Sequence, residues 1–173
     1  MKRRNAIGAV LVAVLALGAA AYALAAPGAG AAGSTAPVLS MTLTVTGQKQ
    51  GVFSKPLIPL STLSHEIVSP RDPSSGLPTG RSQHKPLSVT MQWGPTTPKF
   101  ISALVSNENL TSVLIGLLRN GTKVATIKLT NANVSHFVQT NQDVQFDFTY
   151  QKITWTWVDG GITALDDWSA PTT

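Results

Sequence analysis

The sequence contains no cysteine, which removes disulfide staples, thiolate metal ligands and cysteine nucleophiles from consideration together. Redox compartment stays open, because a chain without thiols tolerates either side of a membrane. Charge is scarce too: Asp, Glu, Lys and Arg make up 12% of 173 residues, with 13 basic against 8 acidic side chains. Three of the basic residues, Lys2, Arg3 and Arg4, precede any foldable segment. Without them the balance is nearly even, and no electrostatic case for nucleic acid remains. The chain also lacks G-x-S-x-G, H-E-x-x-H, a phosphate loop and the Rossmann glycine pattern, so no catalytic motif emerges. His65, His84 and His136 stand far apart in different stretches, and nothing in their spacing makes a metal site. Neither an enzyme nor a cofactor is expected.

The long apolar run is confined to the start. Met1 to Asn5 is cationic and Ala6 to Ala26 carries no charge, the layout of a secretory signal. Ala23-Leu24-Ala25 offers cleavage beside Ala25 and Ala26, and Ala29-Gly30-Ala31 a second site. An uncleaved anchor is the rival reading, since the run is about as long as a membrane span. Residues 27–37 (PGAGAAGSTAP) read as a flexible spacer, being small, uncharged and aperiodic. The remaining 38–173 is long enough for one domain with a real core and hardly for two.

That domain is dominated by alternation. The organising stretch is Asp143 to Trp157, where Val144, Phe146, Phe148 and Tyr150 alternate with polar residues. After Gln151 and Lys152 the parity flips to Ile153, Trp155 and Trp157, which predicts a bulge near Tyr150 to Lys152 or a shared corner. Met41, Leu43 and Val45 predict an opening strand, and Gly47 and Gly51 a turn. Pro56 and Pro59 restrict the next strand to Leu60 to Val68. Leu87 to Trp93 alternates again. Thr97-Pro98 starts one short helix, with Thr97 as cap and Phe100, Ile101, Ala103 and Leu104 as its apolar face. Leu110 to Arg119 and Lys123 to Thr130 form a hairpin across Asn120-Gly121, and Asn131 to Gln139 a further strand. About eight antiparallel strands and one helix favour a small β-barrel over an open sheet.

Ser69 to Pro86 is the exception. Its four prolines and two glycines give an extended loop with no pattern of its own, and loops this long are usually functional or disordered. Arg71, Arg81 and Lys85, with His84, suit an anionic partner, a solvated loop or salt bridges across a subunit contact. Asp166-Asp167 points apart in an extended tail, which suits a docking contact or solvated charges better than acid–base work. Trp155 and Trp157 alternate as core or interface residues do.

Three stretches carry a family resemblance. SPRDPSSGLPTGRSQHKPLSV (Ser69 to Val89), TIKLTNANVS (Thr126 to Ser135) and FTYQKITWTWVDGGITALDDW (Phe148 to Trp168) resemble the Hcp family, the haemolysin-coregulated proteins that form the inner tube of type VI secretion systems. The turn at Gly47 and Gly51 and the Pro98-Lys99-Phe100 helix start fall in the same order. The resemblance implies a barrel with one helix at its side, assembling into a six-membered ring. Such rings stack into a tube with a spike protein at its tip and carry effectors in the lumen; no residue is catalytic. It also implies that the long loop takes part in subunit or ring contacts, through Pro70, Arg71 and Asp72 at its start and Gly80, Arg81, Gln83, His84 and Lys85 at its end.

Tube components carry no cleavable signal, whereas this chain begins with one. Two routes therefore stand side by side: export to the envelope or medium through the signal, or synthesis in the cytoplasm from a start near Pro37 followed by type VI secretion. Membrane contact is expected only if the leader stays uncleaved. The alternative function is an exported monomeric β-barrel binding module outside any secretion machine.

Overall fold

A computed structural model describes residues 38–170. The leader, residues 1–26, the spacer, residues 27–37, and the cleavage position at Ala25 and Ala26 lie outside the described residues. Within them, β1 (Leu39–Gly47) buries Leu43 and Val45, and β2 (Gly51–Val52) returns on it antiparallel. Next come β3 (Ile58–Leu60), β4 (Thr62–Ser64) and β5 (Ile67–Val68), then β6 (Gln83–His84) and β7 (Leu87–Gln92). After α1 (Thr97–Val105) follow β8 (Leu110–Arg119), β9 (Thr122–Thr140), β10 (Asp143–Trp157) and β11 (Ile162–Asp167).

Nine strands share one sheet, ordered β2-β1-β8-β9-β10-β7-β4, with β3 joined to β1 and β11 to β10; β5 and β6 form a second, two-stranded sheet. Every pairing is antiparallel. The sequence predicts one strand over Leu60 to Val68, but this stretch is divided. Ile58–Leu60 pairs with β1, whereas Thr62–Ser64 pairs with β7. Only Ser61 stands between them, and its N–H donates to the Thr90 carbonyl at 2.8 Å. A strand that changes partner over one residue therefore bridges the two ends of the strand order and completes a barrel-like circuit. The result is the predicted mainly β barrel with one short helix.

The expected bulge near Tyr150 to Lys152 is not there. β10 is one continuous strand, and its register with β9 shifts between Asp147 and Phe148, where Ser135 of β9 is the extra residue. Yet the parity of burial does flip: Phe148 and Ile153 are both fully buried on β10, Leu129 and Ala132 on β9, and Leu110 and Val113 on β8. All three flips lie at one level of the sheet, where Asn131 takes φ 50°. Neighbouring strands turn over together, so no register is lost and no bulge is needed. The two strands predicted on either side of Asn131 are accordingly one, β9, of 19 residues.

Phe100 and Ala103 of α1 are buried in the core, with the Phe100 ring 4.8 Å from Phe146 and 5.0 Å from Phe53. Thr97 is not the cap. It lies inside the helix, and its Oγ1 accepts the Gly94 N–H at 3.1 Å, while Thr96 holds the capping position without a side-chain bond. Beyond the helix, Glu108 is buried beneath the Gly47 to Gly51 turn. Its Oε1 accepts the Lys49 and Gln50 N–H groups at 2.7 and 2.9 Å, and its Oε2 accepts the Gln50 side-chain amide at 2.8 Å. Burial would raise this carboxyl, but the Gln50 amide, the two N–H groups and the nearby Lys49 charge together hold it below its ordinary value. Among the described residues, no helix is long and apolar enough to cross a membrane.

Candidate functional site

The loop from Ser69 to Pro86 has more order of its own than its sequence suggests. Asp72 Oδ1 accepts the N–H groups of Ser74 and Ser75 at 3.0 and 2.7 Å and the Ser75 hydroxyl at 2.9 Å. These bonds hold the Asp72 carboxyl below its ordinary value, the Ser75 N–H contributing most. Across the loop, the Thr79 N–H donates to the Pro70 carbonyl at 3.0 Å, the Asp72 N–H to Leu77 at 2.9 Å, and Arg71 pairs with Pro78 as an isolated bridge. Arg71 Nη1 closes the tip by donating to the Gly76 carbonyl at 3.1 Å. Such side-chain turns have no hydrophobic period. That is why the stretch reads as patternless and yet folds.

At its base the loop is fastened to the barrel. Arg81 donates to the Asp167 and Trp168 carbonyls at 3.3 and 3.5 Å and lies 6.0 Å from the centre of the Trp168 ring. The Ser82 hydroxyl reaches Asp166 Oδ2 at 3.3 Å. His84, on β6, makes the central contact. Its Nε2 lies 2.9 Å from Asp166 Oδ2 and its Nδ1 2.8 Å from the Tyr150 hydroxyl. His65, just past β4, places Nε2 2.7 Å from that same hydroxyl. Two histidines that look unrelated in sequence thus flank one tyrosine, their rings 5.4 Å apart. Trp155 and Trp168 pack against them at 6.0 and 4.8 Å from His84. Sequence reasoning missed this cluster because its members come from four separate elements; only the strand pairing of β5 with β6 and β10 with β11 brings them together.

Electrostatics fit a structural role. Burial and the Asp166 charge raise the Tyr150 hydroxyl far above its ordinary value, so it remains a phenol. Burial, followed by the neighbouring His84, lowers His65. His136 lies elsewhere, on β9, where Nδ1 is 3.0 Å from Asp147 Oδ2. Among the described residues there is no group of three or more metal-ligating side chains.

Of the residues expected in a contact loop, Pro70, Gly80, Arg81, Gln83 and His84 line one open cleft of about 660 Å³ with Trp168. Arg71 and Asp72 instead shape the tip, and Lys85 pairs with Glu66 across the β5–β6 hairpin at 2.9 Å. The tip presents Leu77 at 65% exposure, and β5 presents Ile67 and Val68 at 46% and 40%.

A small antiparallel barrel, with one helix packed on its side through Phe100 and Ala103 and a fastened loop carrying exposed apolar side chains, has the build of an assembly subunit. The model of the family described as "Type VI secretion system effector, Hcp" matches residues 39–157, and the chain belongs to that family. It is 31% identical to the "Major exported protein" of Pseudomonas aeruginosa over 163 residues, 75% of this chain and 95% of that protein. Among solved structures, "Secreted protein Hcp3" from P. aeruginosa matches with a TM-score of 0.65 and 25% identity, over 77% of this chain and all of that one. Hcp1 from E. coli EAEC 042 matches at 0.66 and 22% identity, over 76% and 99%. As a member of the family the chain is a non-catalytic subunit of a type VI secretion ring or tube.

Proposed function

We propose that the ring is a homohexamer and that the loop from Ser69 to Pro86 makes its contacts between copies. The observation that supports this reading is the division of labour in the loop. Its base is bonded inward through Arg81, Ser82 and His84, while its tip and β5 turn Leu77, Ile67 and Val68 to solvent. Apolar side chains held out on an ordered arm have little to pack on within one subunit, and a symmetric neighbour supplies that cover. The ring carries effectors in its lumen and meets a spike protein at the end of the stack, by resemblance to the family. Export of the chain follows the N-terminal signal in this reading, with cleavage at Ala25 and Ala26.

Light scattering on the full chain and on a variant lacking Ser74 to Arg81 tests the loop's part. Loss of the oligomer in the variant, with its barrel intact by circular dichroism, is the expected result. An unchanged oligomer mass would overturn the assignment. A wild-type chain that stays monomeric would instead favour the exported binding module.

A further inference from the structure

We infer that the His65–Tyr150–His84–Asp166 chain is a proton-operated latch, which holds the extended loop on the barrel at neutral pH and frees it in mild acid. This rests on the loop being the contact between copies, and it adds regulation to that contact.

The argument is one of hydrogen-bond inventory. Asp166 as a carboxylate only accepts, so His84 Nε2, 2.9 Å away, donates to it. In the neutral imidazole His84 Nδ1 is then an acceptor, and the Tyr150 hydroxyl 2.8 Å away donates to it. The hydroxyl oxygen is left to accept from His65 Nε2 at 2.7 Å. Every donor finds an acceptor, and both rings are neutral.

A first proton is tolerated. With that proton on His84, Nδ1 becomes a donor, and the Tyr150 hydroxyl turns its hydrogen to His65 Nε2, which now accepts. A second proton cannot be placed. With both rings cationic, two N–H groups aim at one phenol oxygen, the phenol hydrogen has no acceptor left in the chain, and two like charges face each other with ring centres 5.4 Å apart. The His84 side chain is 3% exposed, although Asp166 keeps 29% of its surface, so the repulsion between the rings is only partly screened.

Other charges nearby are already engaged. Arg81 from the loop reaches the Asp167 and Trp168 carbonyls, Glu66 and Lys85 pair with each other, and Lys152 of β10 stands opposite Asp167 of β11. Asp166 alone is bonded to the imidazole pair, and one carboxylate balances one of the two positive charges. The sign follows. His65 is held below its ordinary 6.5 in the latched form, so the released form binds more protons. Latch stability is therefore full above about pH 6.5 and is lost as pH falls through the depressed value.

Backbone hydrogen exchange over Ser74 to Gln83, corrected for intrinsic rates, tests this on the full chain at pH 7.5 and 5.5. H65Q is the companion variant, because its amide donates to the Tyr150 hydroxyl through Nε2, or accepts from it through Oε1 when turned over, and does not titrate. The wild type is expected to exchange several-fold faster at pH 5.5, about tenfold being the ceiling for one proton taken up at an ordinary 6.5, while H65Q stays level and amides of β9 serve as a fold control. A loop whose exchange ignores pH in the wild type, or an H65Q loop that responds as strongly as the wild type, overturns the latch. Oligomer mass at the same two pH values separates this from the assembly reading. A pH-dependent loop in a chain that never forms rings keeps the latch and removes the assembly; rings with a pH-invariant loop do the reverse.

Discussion

Glu108 shows how much a single buried charge can organise at the scale of one residue. Three hydrogen bonds to Lys49 and Gln50 tie the β1–β2 turn to the segment after α1, and Gly47 leaves room for the carboxylate, since a methyl there would overlap both Glu108 and the Phe53 ring edge. The turn itself is legible from Gly47 and Gly51. Glu108 is not, because its hydrogen bonds run to residues 58 and 59 positions away, and a lone glutamate carries no periodic signal. Because the folded carboxyl is held below its ordinary 4.5, the unfolded chain binds its proton more readily. The stabilisation is therefore full above about pH 4.5 and fades as pH falls through the folded value. Urea unfolding of wild type and E108Q between pH 7 and 3 should show the wild type losing stability more steeply; parallel curves would mean that the charge of Glu108 does not matter. His65 and His84 were equally hidden. Their meeting at Tyr150 depends on tertiary pairing, which no spacing within the chain reports.

Among elements, those with strict alternation were readable and those held by other means were not. The Asn120-Gly121 hairpin is where its sequence places it, with φ of 50° and 80° at the two residues. The predicted bulge failed for an instructive reason: a flip of parity in one sequence looks like an extra residue, whereas three neighbouring strands turning over at the level of Asn131 leave no extra residue to find. Ile162–Asp167 reads as a tail in sequence because its alternation is faint, and the strand it forms leaves Ile162 to Leu165 all exposed. Phe100 helps predict the helix, and its fully buried ring sits among Phe53, Phe146 and Phe148. At nine residues the helix depends on that contact. Phe100→Ala should cost about 3–5 kcal/mol in denaturant unfolding, a large share of a typical domain's stability; a loss under about 1 kcal/mol would show that the helix does not need this anchor.

For the molecule as a whole, the barrel is completed by the one strand region that proline content made least convincing. Pro56 and Pro59 weaken the segment before Leu60 as a strand, yet Pro59 sits within β3, paired with Thr42 of β1. Thr62–Ser64 then carries the chain to β7. The chain thus passes from β1 at one end of the strand order to β7 at the other, while β5, β6 and the loop between them form a separate two-stranded unit. The family to which the chain belongs makes it a ring or tube subunit, and in the reading proposed above that unit meets the neighbour. Native mass spectrometry of the full chain at neutral pH tests this most directly. A dominant species of six times the subunit mass is what the account predicts; a monomer that persists as concentration rises would contradict it.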